Sequence, residues 1–88
     1  KRGGRLTFDF DPPTTGVISV GLMDIENTEQ AHFEIHTVNT ILAASPPIVR
    51  AIVGLGGNSI QEELIDVQHV TSLVLVSTSS FGVRFMNY

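Results

Sequence analysis

The stretch RLTFDF, residues 5–10, carries an apolar side chain at every second position. Side chains of an extended strand point alternately to its two faces, so this pattern predicts a strand with one apolar face and one polar face that contacts solvent. The stretch HFEIH, residues 32–36, repeats the alternation. Both patterns favour strands over helices as the elements from which the fold is built.

Turn-forming residues interrupt the rest of the chain at short intervals. Proline pairs occur at positions 12–13 and 46–47, and a glycine-rich turn, GLGGN, spans residues 54–58. The segments between such turns predict about six or seven short strands, which is typical of a sandwich or jelly roll. The expected fold class is therefore an all-β, antiparallel, jelly-roll-like β-sandwich that occupies residues 1–88 as a single module.

One segment, GVISVGLMDI at residues 16–25, is apolar on both strand faces. A strand that is covered on both faces lies in the middle of a sheet, and we place this segment there. Apolar positions of the other strands complete the expected core. The residues assigned to the core are Phe8, Phe10, Leu22, Phe33, Ile35, Val74 and Phe85.

Two segments also allow a helix. SIQE at residues 59–62 has the form of a capping box, and Ile60, Leu64 and Val67 follow at helical spacing. We favour a strand over residues 59–67, because so short a helix is marginal alone and the neighbouring strands need pairing partners. Residues 40–44 fit either one helical turn or a hairpin loop that ends at the proline pair 46–47.

The composition excludes several classes of protein. Hydrophobic residues make up 42% of the 88 residues and charged residues only 16%, the reverse of a disordered chain. The net charge is -4 and only five Lys and Arg are present, so we expect no nucleic-acid partner. No apolar run approaches the roughly 20 residues of a membrane-spanning helix, and we expect no membrane span.

The residue types that commonly act in catalysis are either missing from the sequence or lie outside the motifs in which they act. Cysteine is absent, which excludes disulfides, thiolate zinc sites and cysteine nucleophiles. The serines of residues 77–80 lack a GxSxG setting, and the glycine-rich turn lacks the lysine of a phosphate-binding loop. We therefore predict that the chain is not an enzyme, with neither catalytic nor cofactor-binding residues.

Oxygen-bearing side chains cluster in the segment DIENTE, residues 24–29. Carboxylate and amide oxygens are the ligands that Ca²⁺ prefers, and the predicted ligands are Asp24, Glu26 and Asn27. The spacing matches no EF-hand. In the alternative interpretation, Asn27 makes a turn while Glu26 and Glu29 are solvated. Asp24 directly follows an apolar strand, so we expect it to be partly buried.

Other polar residues offer weaker candidates. Asp9 and Asp11 flank Phe10 and would add oxygens if their loop lay beside Asn27; otherwise both face water. His32 and His36 share one strand face, but residues four apart on a strand are separated by about 13 Å. That distance excludes a single metal ion held by both histidines, so we interpret this face as solvated.

Three motifs carry a resemblance to a known group of proteins: GGRLTFDF at residues 3–10, VGLMDIE at 20–26 and GLGGNSIQ at 54–61. The chain resembles secreted β-sandwich modules of bacterial surface proteins with PEP-CTERM-type sorting tails and of large algal extracellular proteins. The resemblance implies an extracellular or cell-surface location. It also implies that further strands precede the first motif, so the chain would be part of a longer protein and a sandwich incomplete at its N-terminal end.

These observations lead to two functional hypotheses. The first is a non-catalytic structural or adhesive module of a filament, matrix or shell, which pairs with other protein chains through exposed sheet edges and forms a homo-oligomer or larger assembly. The second is a carbohydrate-binding module whose ligand is a glycan and whose loop near Asp24 is stabilised by Ca²⁺. The absence of Trp and the single Tyr count against the second hypothesis.

Overall fold

The computed structural model describes residues 4–25, 30–39, 46–56, 59–78 and 81–88. Within them seven strands follow one another along the chain, in agreement with the number expected from the turns. The strands are β1 (Gly4–Asp9), β2 (Ile18–Met23), β3 (Ala31–Thr37), β4 (Ile48–Ile52), β5 (Ile60–Ile65), β6 (Val70–Ser77) and β7 (Gly82–Asn87). The predicted alternatives for residues 40–44 lie outside the described residues.

The strands form two antiparallel sheets, which confirms the all-β sandwich class. The four-stranded sheet has the order β1-β6-β3-β4, and the three-stranded sheet has the order β5-β2-β7. Pairing is nested along the chain, because β1 pairs with β6, β2 with β5 and β3 with β4. Nested pairs of this kind that roll into two layers are the pattern of a jelly roll. β7 adds to the other side of β2.

The core lies between the two sheets and is built from alternate residues of the central strands. β2 contributes Ile18, Val20 and Leu22, each completely buried. Its two neighbours confirm that this segment lies in the middle of a sheet. β3 contributes Phe33 and Ile35 from the predicted alternation. Full burial of such a side chain stabilises the fold by about 1.5–3 kcal/mol.

Most of the residues assigned to the core from the sequence occupy it. Phe10, Leu22, Phe33 and Ile35 are buried in the central cluster, and Phe8 packs against it half-buried. Phe85 was assigned wrongly, since it is 37% exposed on the outer face of β7. The pairing of β2 with β7 shifts register after Gly21, and this irregularity turns Val83 and Met86 inward in place of Phe85.

Val74 is buried but lies outside the central cluster. Its partners in the neighbouring strands are Thr7 and Glu34, so it faces outward from the four-stranded sheet. The prediction that Val74 helps to hold the two layers together is therefore wrong. It is covered instead by its polar neighbours on the outer face.

Residues 60–65 form strand β5, which confirms a strand over the helix that the capping-box pattern allowed. The hydroxyl of Ser59 does not cap a helix. It donates to the carbonyl oxygen of Gly56, within the turn that leads into β5. Gly56 has a φ of 111°, as the predicted glycine turn requires.

The loops divide between two ends of the sandwich. We call the end that carries residues 10–17, residues 66–69 and Tyr88 the Tyr88 end. Backbone hydrogen bonds between Thr14 and residues 69–70, together with the ring contact of Phe10 with Tyr88, bring these segments together. Asp24 and Gly56 lie at the opposite end, where the backbone N–H of Asp24 donates to Ser59.

Candidate functional site

The outer face of the four-stranded sheet is polar. Arg5 on β1 and His32 and Glu34 on β3 lie in adjacent rows of this face, across the outward side of β6. The guanidinium of Arg5 lies 2.8 Å from one carboxylate oxygen of Glu34, and Nε2 of His32 lies 3.2 Å from the other. Each oxygen of the Glu34 carboxylate thus has a polar partner. Polar contacts of this kind are typical of a sheet face that contacts water.

The pKa of Glu34 lies below its ordinary value of 4.5. The hydrogen bond with His32 is the largest cause, and the hydrogen bond from Arg5 is the next. Both partners favour the ionised carboxylate. These two contacts therefore stabilise the fold when Glu34 is ionised.

The histidines do not form a metal site with the described acidic residues. His32 faces Glu34, and His36 lies on the same side of β3, opposite Ser72 of β6. No group of three or more His, Asp or Glu that could hold a metal ion occurs among the residues that the structure describes. The interpretation of this strand face as a polar outer surface is consistent with the geometry.

The outer face of the three-stranded sheet is different, because its exposed side chains are largely apolar. Met23 lies on β2, Phe85 on β7, and Ile60 and Leu64 on β5, all on the side away from the core. Ile60 is 54% exposed and Leu64 59% exposed. We call these four residues the apolar face. Glu62 lies between Ile60 and Leu64, where it accepts a hydrogen bond from the hydroxyl of Ser19.

Phe85 lies flat against the middle of the apolar face. Gly21, its partner on β2, is buried beneath the ring, and a Cβ atom at this position would lie 2.3 Å from Cε2 of Phe85. Only glycine leaves room for the ring to contact the backbone of β2 in this way. The ring thus covers the backbone of β2 at the centre of the sheet, with Glu62 on the other side of Gly21.

The two flanks of the sandwich differ. At the flank where β4 meets β5, Arg50 Nη1 donates to the carbonyl oxygen of Leu64 over 3.1 Å. Gln61 is buried there, and its amide nitrogen donates to the carbonyl oxygen of Val53 at 2.9 Å while its oxygen accepts from Leu55 at 3.3 Å. The side chains of Arg50 and Gln61 thus connect the two layers. Their hydrogen bonds satisfy backbone groups along this flank, which we call the closed flank.

The flank formed by β1 and β7 is open. Leu6, whose β6 partner is the core residue Leu75, is still 39% exposed. Phe8, Val83 and Met86 pack against the core but are only partly buried. The four-stranded sheet packs against a sheet of only three strands, so none of the described strands of the second sheet covers β1. Apolar side chains from both layers therefore reach solvent along the open flank.

A cleft of about 470 Å³ lies at the Tyr88 end. Its lining comprises Asp9, Phe10, Asp11, Pro12, Pro13, Thr14, Thr15 and Tyr88. We call it the Tyr88 cleft. A smaller cleft of about 280 Å³ lies nearby and includes Asn39, Gln68 and His69 in its lining.

The predicted calcium ligands are described only in part. Glu26 and Asn27 lie outside the described residues. Asp24 is exposed, which contradicts the expectation of partial burial. Its φ of 62° breaks the strand alternation directly after β2, so that the buried position falls to Ile25 instead. Asp9 and Asp11 lie at the Tyr88 end and Asp24 at the other, so the structure does not bring these three carboxylates together.

Sequence reasoning missed both the apolar face and the Tyr88 cleft. The apolar face had a signal in the sequence, because Ile60 and Leu64 are four residues apart and share one side of a strand as well as of a helix. The Tyr88 cleft had no such signal, because residues 9–15 and Tyr88, which line it, are far apart in the sequence.

Comparison of this chain with protein-family models, with curated proteins and with solved structures found no match. The resemblance to secreted sandwich modules therefore stays a prediction. Within the described part of the chain, no helix has the length and apolar character needed to cross a membrane.

Proposed function

We propose that the chain is a non-catalytic structural or adhesive module of an extracellular or cell-surface assembly. It binds other copies of itself or neighbouring chains through the apolar face, and extends the contact through its open sheet edges. The contrast between the two outer faces of the sandwich carries this proposal.

The contrast is chemical. The outer face of the four-stranded sheet holds the ion-paired residues Arg5, His32 and Glu34, whereas the other outer face holds exposed Ile60 and Leu64. Contiguous apolar surface on a folded module marks a site of interaction. Its removal from water yields about 25 cal/mol per Å² of apolar area. The apolar face, where Ile60, Leu64 and Phe85 lie together, gains more in this way than the other outer face, where Val49 is exposed beside the ion-paired Glu34.

The open flank supports the same role. Each of β1 and β7 has one hydrogen-bonded neighbour among the described strands. The backbone groups on the other side of an edge strand are a template for pairing with a further strand. Such a strand would also cover Leu6 and Met86, which are incompletely buried.

The test is a pair of matched lysine variants. Leu64 on β5 is 59% exposed on the apolar face, and Val49 on β4 is 64% exposed on the polar face. Sedimentation velocity over a concentration series should show self-association of the unaltered chain. We expect Leu64→Lys to sediment as a monomer, because a buried ammonium in an apolar contact is costly, and Val49→Lys to associate normally.

Thermal unfolding of both variants confirms that each remains folded. The proposal is wrong if the unaltered chain remains monomeric up to about 1 mM, the limit of a weak specific contact. It is equally wrong if Val49→Lys dissociates the assembly as well as Leu64→Lys does.

A further inference from the structure

An exposed aromatic ring forms one wall of the Tyr88 cleft. Tyr88 is 77% exposed, and its ring centroid lies 4.8 Å from that of Phe10 at an interplanar angle of 70°. Phe10 is buried in the core, so this edge-to-face contact holds Tyr88 against the end of the sandwich. Ring surface remains open to the cleft, as in binding sites that stack an amphipathic ligand.

Hydrogen-bonding groups lie around the ring. Asp9 and Asp11 are exposed carboxylates in the lining, and neither forms a hydrogen bond or ion pair with another described residue. Thr15 adds an exposed hydroxyl. Carboxylates accept strong hydrogen bonds from hydroxyl groups, and a threonine hydroxyl both donates and accepts.

The base of the cleft is fixed by the backbone. Thr14 is buried, its N–H donates to the carbonyl oxygen of Val70 at 3.1 Å, and its hydroxyl oxygen accepts from the N–H of Val70 at 3.1 Å. The N–H of Phe10 donates to Thr71 at 2.9 Å. A loop that is tied to β6 in this way loses little entropy when a ligand binds.

We infer that the Tyr88 cleft binds a unit of a neutral saccharide chain. A pyranose ring presents an apolar C–H face and a rim of hydroxyls, which match the tyrosine ring and the two carboxylates. The cleft volume of about 470 Å³ falls within the range of roughly 300–1,000 Å³ for small-ligand sites. Ion pairs and hydrogen bonds with exposed carboxylates both gain little in water, so the contact with the Tyr88 ring supplies most of the binding and favours a ligand with an apolar C–H face over a cation.

The saccharide site is independent of the proposed assembly role. It lies at the end of the sandwich, whereas Ile60 and Leu64 lie on the outer face of the three-stranded sheet. A module that both assembles and binds glycans would attach an array of copies to a polysaccharide.

The experiment is an NMR titration of the ¹⁵N-labelled full chain with neutral gluco-, xylo- and manno-oligosaccharides in the presence of EDTA. Saturable shifts should appear at the amide groups of residues 9–11, Thr14, Thr15 and Tyr88, since the two prolines of the lining carry no N–H. We expect Tyr88→Ala to weaken binding by about tenfold or more and Tyr88→Phe by less than about threefold. Asp11→Ala should also weaken it, whereas Asp66→Ala, an exposed carboxylate outside the lining, should not.

Two outcomes would overturn the inference. One is the absence of saturable shifts with every oligosaccharide, including the case in which Ca²⁺ or a lysine-rich peptide shifts the cleft residues instead. The other is saccharide binding that Tyr88→Ala leaves unchanged. The same titration of Leu64→Lys separates the two proposals, since a monomeric variant should retain the saccharide site.

Discussion

Gly21 and Phe85 form the tightest contact of the apolar face. A methyl group at Gly21 would lie 2.3 Å from the ring, so the ring of Phe85 must swing outward to make room. We expect Gly21→Ala to lower the free energy of unfolding by about 1 kcal/mol, the lower end of the cost of overpacking. Urea denaturation measures this loss.

A double-mutant cycle isolates the contact. Phe85→Ala removes the three atoms that lie nearest to the added methyl group, and Gly21→Ala should then be close to neutral. An equal loss in both backgrounds would show that the ring does not rest on Gly21.

Glu34 gives the fold a pH dependence. Its pKa is lowered by hydrogen bonds with His32 and then Arg5, so the stabilisation is present above the unfolded pKa and is lost as the pH falls through the folded pKa. We expect Glu34→Gln to be less stable than the unaltered chain at neutral pH. The difference should shrink as the pH falls below the ordinary value of 4.5 and close once the pH is below the lowered pKa of the folded chain.

Denaturation curves between about pH 3 and pH 7 test this expectation, because this range includes the ordinary glutamate pKa of 4.5. Asp66→Asn, at an exposed position, is the control. A constant difference between Glu34→Gln and the unaltered chain across the range would contradict the assignment of the ion pairs.

Single residues also explain where the sequence was misleading. Side-chain alternation assigns faces correctly only while the strand is regular. The irregularity after Gly21 and the left-handed conformation of Asp24 each reverse the alternation locally. Phe85 was therefore predicted to be buried and Asp24 to be partly buried, and both are exposed, whereas Phe33 and Ile35, in a regular part of β3, were predicted correctly.

At the scale of the elements, Gln61 joins β5 to the segment after β4. Its side chain is buried, donates to Val53 and accepts from Leu55. Gln61→Leu keeps a similar volume but leaves both backbone groups without this partner. We expect a loss of about 0.5–1.5 kcal/mol in the free energy of unfolding for each hydrogen bond removed, the net value of a typical bond, because Val53 and Leu55 are themselves exposed.

Gln68→Leu is the matched control, because Gln68 is exposed and lies outside the strands. Thermal or urea unfolding of the two variants should differ clearly. If both lose the same stability, the bridge between β4 and β5 does not close this flank.

Strand β5 shows why the sequence alone left a helix and a strand as alternatives for this segment. Ile60 and Leu64 are four residues apart, a spacing that places two side chains on one side of a helix and also on one side of a strand. The pattern could not separate the two, and the pairing demand of the neighbouring strands decided correctly for a strand.

At the scale of the whole molecule, the sandwich should be most stable in its central strands. β2, β3 and β6 each pair on both sides, whereas β1 and β7 pair on one side along the open flank. We expect amide hydrogens of β2, β3 and β6 to exchange most slowly in a dilute sample, and those of β1 and β7 to exchange fastest among the strands.

Hydrogen exchange read by mass spectrometry or NMR tests this order. β4 and β5 are informative controls, since they are also edge strands but lie at the flank closed by Arg50 and Gln61. Protection of β1 equal to that of β6 in the monomer would contradict an open flank.

The proposed binding surfaces can be recognised only from the arrangement of the whole molecule. Fold class, strand number and most of the core follow from local alternation and turns. The Tyr88 cleft depends on the ends of β1 and β7 meeting across the two layers, which links residue 10 to residue 88. No local pattern encodes such a juxtaposition, because it results from the order of the strands.

In the proposed assembly, the apolar face gives each molecule a valence of one for face-to-face contact. Two copies that meet face to face bury both apolar surfaces and leave polar ones outward, so growth stops at a closed, isologous pair. A continuing array needs a second, heterologous joint, and the open flank of β1 and β7 is the part of the molecule that supplies it. In this scheme the array is built from such pairs, so a variant that loses the face-to-face contact should lose the array as well, whereas a variant altered only along the open flank should stop at the pair.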